Sequence, residues 1–586
     1  MIYTHILKKV IKPARYTGGE YNSCDPAKPH EISFCFCFPE PYEVAMSNLG
    51  MKILYHMLND RPDTVCERCF MPWPDLSEIL IRQDIPLFSI ESKKSLREFD
   101  ILGFSIHHEL CYTNILHMLR LAGLPFYARE RGEGMPLVIA GGPCSVNPEP
   151  YAEFFDLIVV GEGEECLNSL LGLYLEEKGD RKRFLERAAA IEGVYVPSLL
   201  EVQYSSDGTI RGFLDPKVKK TFVRDLDNSY FPERMIIPNI EAVHDRAVIE
   251  LFRGCSNGCR FCQAGFATRP IRYRSKGKLS RQAAKLIEST GYEEISLSSL
   301  STGDYPELRD LLDDLKPLKE KWTNISLPSL RLRGFYGEFA AGSLTFAPEA
   351  GTQRLRDVIN KNITDEDIEA AFKEAFSADC SNLKLYFMTG LPTETMEDIE
   401  GIAQVALLAK RLSRSEGKRP PSITVSSSVF LPKPFTPFQW EAMDDRQATL
   451  EKQAYLRQIF RKNRIKYSYH DYDMSRLEAI FSRGDRRLSE VIVAAYRKGC
   501  TLDSWTEFFD AKKWDEAFSE CGIDPGFYLR KRPFDEVLPW DFIDAHISRK
   551  YLQRECERAY AGVTTRDCRL GCNGCGASAG GCCALC

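Results

Sequence analysis

The 586-residue sequence contains no run of about 20 apolar residues, which is the length that a helix needs to cross a bilayer. It also lacks the N-terminal apolar run of a secretory signal. The chain has no excess of basic residues either, since its net charge at pH 7 is −6. The nine histidines show no metal-ligand spacing. We therefore expect a cytoplasmic protein with no membrane partner, whose surface as a whole does not attract nucleic acid.

Cysteine is abundant instead, with 21 residues. Disulfides are rare in the reducing cytoplasm, so an odd number of cysteines in such a chain indicates metal or redox chemistry. Three cysteines fall between residues 255 and 262, and six fall in the last 19 residues. Two further pairs, Cys35 with Cys37 and Cys66 with Cys69, could form another site, but we interpret them as small buried apolar residues.

The first part of the chain alternates between strand and helix patterns. Short apolar runs at residues 32–38, 100–106, 136–142 and 156–161 predict buried strands, and amphipathic segments lie between them. This alternation predicts a parallel sheet, and we expect a doubly wound, Rossmann-like domain over residues 1–192. Residues 193–240 predict a β-rich linker, with a hairpin turn at 205–208.

A second strand–helix series begins after the linker. Strand patterns at residues 248–252, 294–300, 324–328, 343–347, 382–388 and 422–430 predict a partial (β/α)6 barrel over residues 241–445. Ligands bind at the C-terminal ends of such strands. Residues 446–565 predict a helical domain, and residues 566–586 form a tail rich in cysteine. The fold class is therefore α/β with a helical C-terminal region.

The densest candidate metal site is Cys255, Cys259 and Cys262, which follow the first strand of the barrel. Three thiolates on one short loop can hold three corners of a [4Fe–4S] cube and leave the fourth iron open for a ligand. A zinc knuckle would require a fourth Cys or His at short spacing, and none follows before Cys380. Three core cysteines would explain neither the spacing nor the surrounding glycines.

This Cys-x3-Cys-x2-Cys segment, with Phe261 before the third cysteine, resembles the signature of the radical SAM superfamily. The resemblance implies that the open iron binds the amino and carboxylate groups of S-adenosylmethionine (SAM). It also implies that an electron from the cluster breaks the S–C5′ bond to give a 5′-deoxyadenosyl radical. Phe261 would then lie near the adenine.

Four further segments resemble the SAM-binding motifs of this superfamily. Gly303 and Asp304 stand where the family usually has Gly-Gly-Glu, so this segment departs from the family pattern. Glu349 begins a stretch like that of methylthiotransferases and cobalamin-domain enzymes, although a surface helix cap is the alternative for this residue. The resemblance implies SAM-binding roles for all of them: Gly303, Asp304, Ser329, Arg331, Glu349, Gly390 and Pro392.

The order of an α/β domain followed by a barrel resembles the radical SAM class whose first domain has the cobalamin-binding fold. Residues 15–22, 39–50 and 538–552 and the Cys-rich end resemble one bacterial family of that class, often found with a second domain of unknown function. Residues 38–50 lack the histidine that ligates cobalt in some of these domains. Two interpretations are open: a corrinoid without that ligand, or a domain that binds none.

The tail repeats the spacing of the first triplet in Cys568, Cys572 and Cys575, which are followed by Cys582, Cys583 and Cys586. An auxiliary iron–sulfur cluster is the interpretation that we favour, because iron–sulfur sites use such short spacings. A zinc site is the alternative, for which four thiolates suffice.

Together these features predict a radical SAM enzyme that carries out methyl transfer, aided by cobalamin, or sulfur insertion. A reductant such as flavodoxin or ferredoxin is an expected partner. Nine basic residues between 253 and 287 could contact an RNA substrate or balance the cluster's charge. The alternative from another class is a non-catalytic iron–sulfur or cobalamin sensor or assembly factor.

Overall fold

The computed structural model describes residues 2–214, 217–320, 323–328, 343–378, 380–415 and 421–577. The predicted SAM ligands Ser329 and Arg331 lie outside these ranges, as do the last three cysteines of the tail. Within the described part, no helix has both the length and the apolar character that crossing a membrane requires.

A six-stranded sheet organises the first domain, in the order β2-β1-β3-β4-β5-β6. The first five strands of this order are parallel, and β6 is antiparallel to β5. The strands are β1 (Ile32–Phe38), β2 (Thr64–Phe70), β3 (Ile101–Ser105), β4 (Leu137–Gly141), β5 (Leu157–Val159) and β6 (Val194–Tyr195). The four predicted strands are confirmed, and β6 joins this sheet from beyond residue 192.

Strand β2 was not predicted from the sequence, because Glu67 and Arg68 interrupt its apolar pattern. Both are buried: Arg68 forms ion pairs with Glu20 and Glu91, and Glu67 accepts hydrogen bonds from Ser89 and Ser92. Paired and hydrogen-bonded charges are tolerated inside a sheet. The cysteines of β1 and β2 are buried strand residues, as interpreted from the sequence.

Helices cover both faces of this sheet. In β1, Phe34 and Phe36 belong to one apolar core, while Cys35 and Cys37 belong to the core on the opposite face. This alternation is what a doubly wound domain requires. The helices are α1 (Ile2–Leu7), α2 (Tyr42–Ala45), α3 (Leu49–Asp60), α4 (Pro74–Gln83), α5 (Tyr112–Leu121), α6 (Gly163–Glu176) and α7 (Arg181–Ala188).

The linker contains an antiparallel hairpin of β7 (Glu201–Tyr204) and β8 (Ile210–Leu214), which agrees with the predicted turn. The next strand, β9 (Val218–Lys219), pairs in parallel with β19 (Ile543–Asp544) from the C-terminal region. The linker is therefore joined to a segment more than 300 residues further along the chain.

The barrel consists of two parallel sheets, β10-β13-β14 and β15-β16-β17-β18, with a small antiparallel ribbon of β11 and β12 after the first strand. All six predicted barrel strands are present. The strands are β10 (Ala247–Glu250), β11 (Phe252–Arg253), β12 (Arg272–Tyr273), β13 (Glu294–Ser298), β14 (Asn324–Ser326), β15 (Ser343–Glu349), β16 (Asn382–Thr389), β17 (Ser422–Val429) and β18 (Lys466–Tyr469).

Strand β18 adds a seventh parallel strand beyond residue 445, inside the segment that the sequence analysis assigned to a helical domain. It has only four residues and is mostly exposed, so its sequence gives a weak strand signal. The barrel helices are α8 (Gln263–Ala267), α9 (Lys276–Thr290), α10 (Leu308–Glu320), α11 (Gln353–Val358), α12 (Asp365–Ser377), α13 (Met396–Ser415) and α14 (Arg446–Lys462).

The C-terminal helices connect the two α/β units. Helix α16 packs against α5 of the first domain, and α19 packs against α11 of the barrel. Buried hydrogen bonds reinforce the first contact, since Thr113 donates to Asp503 at 2.6 Å. The helices are α15 (Tyr472–Arg483), α16 (Leu488–Arg497), α17 (Ala511–Glu520), α18 (Gly526–Leu529) and α19 (Arg549–Tyr560).

Candidate active site

Cys255, Cys259 and Cys262 lie on one loop between β11 and α8, which we call the cluster loop (residues 254–262). The Cys262 sulfur accepts a hydrogen bond from the backbone N–H of Gly265 at 3.3 Å, and the Asn257 side chain donates to the Cys255 sulfur at 3.6 Å. Burial raises the pKa of Cys262 to about 12. A bound metal would supply the positive charge that the thiolate form needs at this position.

The loop is attached to the first domain by ion pairs. Arg253 donates to Glu162 at 2.9 Å and to Glu164 at 2.7 Å, and Arg272 binds the same Glu162 through both terminal nitrogens. Burial alone would raise the pKa of Glu162, but Arg253 and Arg272 lower it to about 2. The segment leading into Cys255 is therefore fixed to the first domain.

The C-terminal region holds the other side of the cluster loop. Arg260 is fully buried and donates to Glu555 of α19 at 3.2 Å and to the carbonyl oxygen of Val563 at 2.7 Å. Asn360 joins the two segments, because its amide nitrogen donates to Gly258 O at 3.1 Å and its amide oxygen accepts from Thr565 N at 2.7 Å.

Several of the predicted SAM ligands converge beside the loop. Phe261 packs on an apolar cluster that contains Ala350, Met388 and Leu391, which are neighbours in sequence of Glu349, Gly390 and Pro392. Glu349 ends β15 with a positive φ of 69°, which turns the chain at the end of the strand. Loops from three different strands thus meet at one place.

Lys361 was missed by the sequence analysis. Its Nζ lies 3.2 Å from Glu349 Oε1 and 6.0 Å from the centre of the Phe261 ring. Burial lowers the pKa of Lys361, but Glu349 and the thiols of Cys259 and Cys262 raise it above the ordinary value. The only sequence signal was its position shortly after the Glu349 segment, which does not distinguish it from a surface lysine.

Gly303 and Asp304 lie in a short 3-10 helix, Thr302–Asp304, after β13. Arg569 of the tail donates to Asp304 Oδ1, with an N–O distance of 2.8 Å. The Gly390 backbone N–H donates to Glu394 at 2.8 Å, and Glu394 is paired with Lys452. The SAM-binding roles of these loop residues and of Pro392 stay predictions.

A cavity of about 480 Å³ lies where the first domain meets the beginning of the barrel. This size is typical of small-molecule and cofactor sites. Its walls come from the C-terminal ends of β3, β4 and β5, the starts of α3 and α6, and the segments that follow β10 and β13. Lining residues include Phe36, Asn48, Leu54, Gly103, Ser105, His107, Gly141, Gly142, Gly161, Glu162, Phe252, Arg253, Thr268, Ser299 and Leu300.

His107 lies in this cavity, with its ring stacked on Phe38 at 5.0 Å. The Asn48 amide oxygen accepts from Met51 N, so its amide nitrogen faces His107 Nδ1, at 3.4 Å, as the donor. His107 Nε2 then carries the proton and donates to Ser105 Oγ at 2.8 Å. Burial lowers the pKa of His107 to about 4. Both ring nitrogens are therefore used by the protein, and the imidazole is neutral.

The basic run between residues 253 and 287 is used largely inside the protein. Arg253, Arg272 and Arg274 pair with glutamates, Arg260 and Arg269 are buried, and Lys276 and Lys285 pair with surface carboxylates. The partners in these ion pairs are carboxylates of the protein rather than cluster thiolates, so the interpretation that the run balances the cluster's charge stays a prediction. This arrangement leaves little of the run to form a phosphate-binding surface.

Two family models together match more than half of the chain. Residues 50–197 match the N-terminal region of radical SAM proteins, and residues 249–406 match the radical SAM superfamily itself. The fold and the cluster loop define an α/β protein with three cysteines, suited to hold a metal cluster, at the end of a barrel strand. The chain belongs to the radical SAM superfamily. Membership implies a [4Fe–4S] cluster and SAM, and the donor set of Cys255, Cys259 and Cys262 fits three corners of such a cluster.

Similar proteins include an uncharacterized protein and an enzyme. The chain is 27% identical to MJ0966 of Methanocaldococcus jannaschii over 446 residues, which are 73% of this chain and 90% of that protein. It is 25% identical to anaerobic magnesium-protoporphyrin IX monomethyl ester cyclase of Cereibacter sphaeroides over 308 residues, or 50% of this chain and 45% of that protein.

Among solved structures, the radical SAM methyltransferase TsrM from Kitasatospora setae, with cobalamin and a [4Fe–4S] cluster bound, aligns with a TM-score of 0.48 and 14% identity. The alignment covers 70% of this chain and 74% of TsrM.

Proposed function

We propose that this protein is a radical SAM methyltransferase that works with a corrinoid held in the 480 Å³ cavity. The observation that carries the proposal is the position of this cavity, between the C-terminal edge of the first sheet and the segment that leads into Cys255. Gly254 lines the cavity directly before the first cluster cysteine. A group bound there would lie next to the cluster loop.

In this proposal, different residues of the protein bind the cluster and the parts of SAM. Cys255, Cys259 and Cys262 hold the cluster, which supplies the electron that cleaves SAM. The Glu349–Lys361 pair offers one negative and one positive group for the charged ends of SAM. Phe261 and the loop at Gly390 and Pro392 provide an apolar surface for its adenine.

The cavity suits a flat macrocycle with amide side chains. Most of its lining residues are apolar or glycine, and the polar ones include Asn48, Ser105, His107 and the charged Glu162, Glu164, Glu250 and Arg253. Helices α3 and α6 begin at this cavity, and the backbone N–H groups of a helix start favour acceptor oxygens. Because both nitrogens of His107 are engaged, a corrinoid bound here would receive no axial ligand from this residue.

Sulfur insertion, the alternative reaction, would use a sulfur-donating cluster at Cys568, Cys572 and Cys575, and these residues do not line the large cavity. An RNA nucleoside as substrate has little support from the basic run, most of which is buried or paired. A small metabolite is the substrate class that we favour.

Anaerobically reconstituted protein, mixed with hydroxocobalamin and passed through a sizing column, tests the proposal. We expect about one cobalt per chain and, with reductant and SAM, formation of 5′-deoxyadenosine and S-adenosylhomocysteine. Leu54→Trp, which adds bulk to the cavity wall, should lower cobalt binding by about tenfold or more without changing the cluster iron. Leu450→Trp places the same bulk on an exposed helix position and should bind cobalt normally.

Two results would contradict the proposal. A wild-type protein with a full cluster and no cobalt would show that no corrinoid is bound. Equal cobalt binding by both tryptophan variants would show that the corrinoid does not occupy the assigned cavity. A full cluster without any deoxyadenosine would favour the sensor or assembly role instead.

A further inference from the structure

The tail triplet (Cys568, Cys572 and Cys575) lies against the cluster loop, although the two segments are 311 residues apart in sequence. The backbone N–H of Cys568 donates to Ser256 O at 3.1 Å, and the Ser256 hydroxyl donates to Asp567 at 3.0 Å. A cavity of about 10 Å³ is lined by Cys255 together with all three cysteines of the tail triplet. The tail thiols therefore lie directly beside the first cysteine of the cluster loop.

The two triplets are built in the same way. Each has Cys-x3-Cys-x2-Cys spacing, with an Asn-Gly pair before a cysteine. In each, the asparagine amide donates to the sulfur of the first cysteine, at 3.6 Å for Asn257 and 3.3 Å for Asn573. In each, a glycine N–H also donates to a sulfur, at 3.3 Å for Gly265 and 3.4 Å for Gly574. Such hydrogen bonds to sulfur are a feature of iron–sulfur sites.

The separation of the sulfur atoms bears on the choice between iron–sulfur and zinc. A tetrahedral zinc site with Zn–S bonds of about 2.3 Å places its sulfurs only about 3.8 Å apart. Among the residues that the structure describes, no group of three cysteines brings all its sulfurs within 4.8 Å of one another. With the thiols in these positions, neither triplet is therefore closed around a single small ion.

A buried cation lies between the two triplets. Arg269 is 3% exposed, and it donates to the carbonyl oxygens of Gly265 and Asn257, while its Nη1 has no acceptor at normal geometry. Burial lowers the pKa of Arg269, but Tyr551, Cys575 and Cys568 raise it above the ordinary value. A fixed positive charge at this place offsets the negative charge of a thiolate-bound cluster.

We propose that Cys568, Cys572 and Cys575 hold a second iron–sulfur cluster, which passes electrons singly from a protein reductant to the cluster on the cluster loop. The proposal rests on the radical SAM assignment, because the electron is used there to cleave SAM. A reduced flavodoxin or ferredoxin gives one electron to the second cluster, which is reoxidised when the first cluster accepts that electron. No bond forms or breaks in this transfer.

The exposure of the tail triplet fits this direction of transfer. Cys572 is exposed to solvent, where a reductant can approach, whereas Cys568 and Cys575 are buried, and all three line the small cavity beside Cys255.

The test compares the wild type with Cys568→Ala/Cys572→Ala/Cys575→Ala after anaerobic reconstitution. We expect about eight irons per chain in the wild type and about four in the variant. The electron paramagnetic resonance spectrum of the fully reduced wild type should show magnetic interaction between two clusters, and that of the variant a single isolated cluster. Deoxyadenosine formation driven by reduced flavodoxin should fall by about tenfold or more, while formation driven by dithionite changes by less than about threefold.

Cys572→Ser, a single change at an exposed position, replaces the triple variant if that variant folds poorly, and Cys521→Ala is the control at a partly exposed cysteine outside both triplets. Four irons in the wild type, zinc in place of iron, or unchanged flavodoxin-driven activity in the variants would overturn the proposal. If the wild type forms no deoxyadenosine with either reductant, the proposed function fails, while the iron count and the spectrum still decide whether a second cluster exists.

Discussion

Arg253 Nη1 lies 2.9 Å from Glu162 Oε2, and this ion pair joins the segment before Cys255 to the end of the first sheet. Glu162 also lines the large cavity and binds Arg272, which lies on the strand paired with Arg253. One carboxylate therefore sets the position of the cluster loop relative to the cavity. The placement of the two candidate cofactors depends on a contact between domains.

Replacement of this carboxylate should loosen the junction. Glu162→Gln leaves Arg253 and Arg272 without their shared negative partner, and we expect a loss of about 3 kcal/mol in unfolding free energy, the low end for breaking a buried ion pair. Chemical denaturation under anaerobic conditions measures the change. Glu165→Gln, at an exposed position three residues further on, should leave stability unaltered. Equal stability of the two variants would contradict the assigned role.

The same residue predicts a dependence on pH. The folded-state pKa of Glu162, about 2, lies below its ordinary value of 4.5 because Arg253 and Arg272 overcome the effect of burial. Its stabilisation is therefore complete above about pH 4.5 and is lost as the pH falls towards 2. Between those limits, the stability of the wild type should decrease more steeply than that of Glu162→Gln. Parallel stability curves would show that the carboxylate does not titrate as described.

Loss of one cluster ligand should abolish SAM cleavage. Cys259→Ala removes one of three thiolates, and three are needed to hold the cube with its fourth iron open. We expect a drop of about four irons per chain and no measurable deoxyadenosine with dithionite. Cys521→Ala, at a cysteine of similar partial exposure, should retain both. A fully active Cys259→Ala protein would exclude the cluster loop as the site of the reaction.

Glu349 should contribute to SAM binding rather than to cluster binding. Glu349→Gln removes the charge that is paired with Lys361, and we expect the dissociation constant for SAM to rise by about 10- to 100-fold, as for a lost hydrogen bond to a charged group. Equilibrium dialysis with labelled SAM measures this change while the iron content stays constant. Glu366→Gln, at an exposed position, is the matched control. Unchanged SAM affinity would assign Glu349 to the fold alone.

Gly351 should tolerate no side chain. A Cβ at this position would lie 2.1 Å from the backbone nitrogen of Ile402 and 2.4 Å from Asp398 O, so α13 would have to move away from the Glu349 segment. We expect Gly351→Ala to cost about 3 kcal/mol or more. Gly172→Ala has open space around it in α6 and should stabilise the protein by about 0.5–1 kcal/mol. Thermal unfolding of both variants tests this contrast.

The sequence predicted those features that depend on neighbouring residues. The spacing of Cys255, Cys259 and Cys262, the four apolar strands of the first domain and the six strands of the barrel are all local patterns. Strands β2 and β18 were not predicted, because buried charges interrupt the apolar pattern of β2 and because β18 is short and mostly exposed.

By itself, the sequence thus determined the fold class, the cluster loop and the superfamily, because a short metal-binding loop and a strand–helix alternation are encoded within a few residues of each other. Only the tertiary structure decided that Lys361 pairs with Glu349, that Arg253 pairs with Glu162, and that the tail triplet lies beside Cys255. These partners are 12, 91 and more than 300 residues apart. Contacts of this kind arise when packing of helices and sheets brings distant segments together, and no local pattern of residues specifies which charges will then meet.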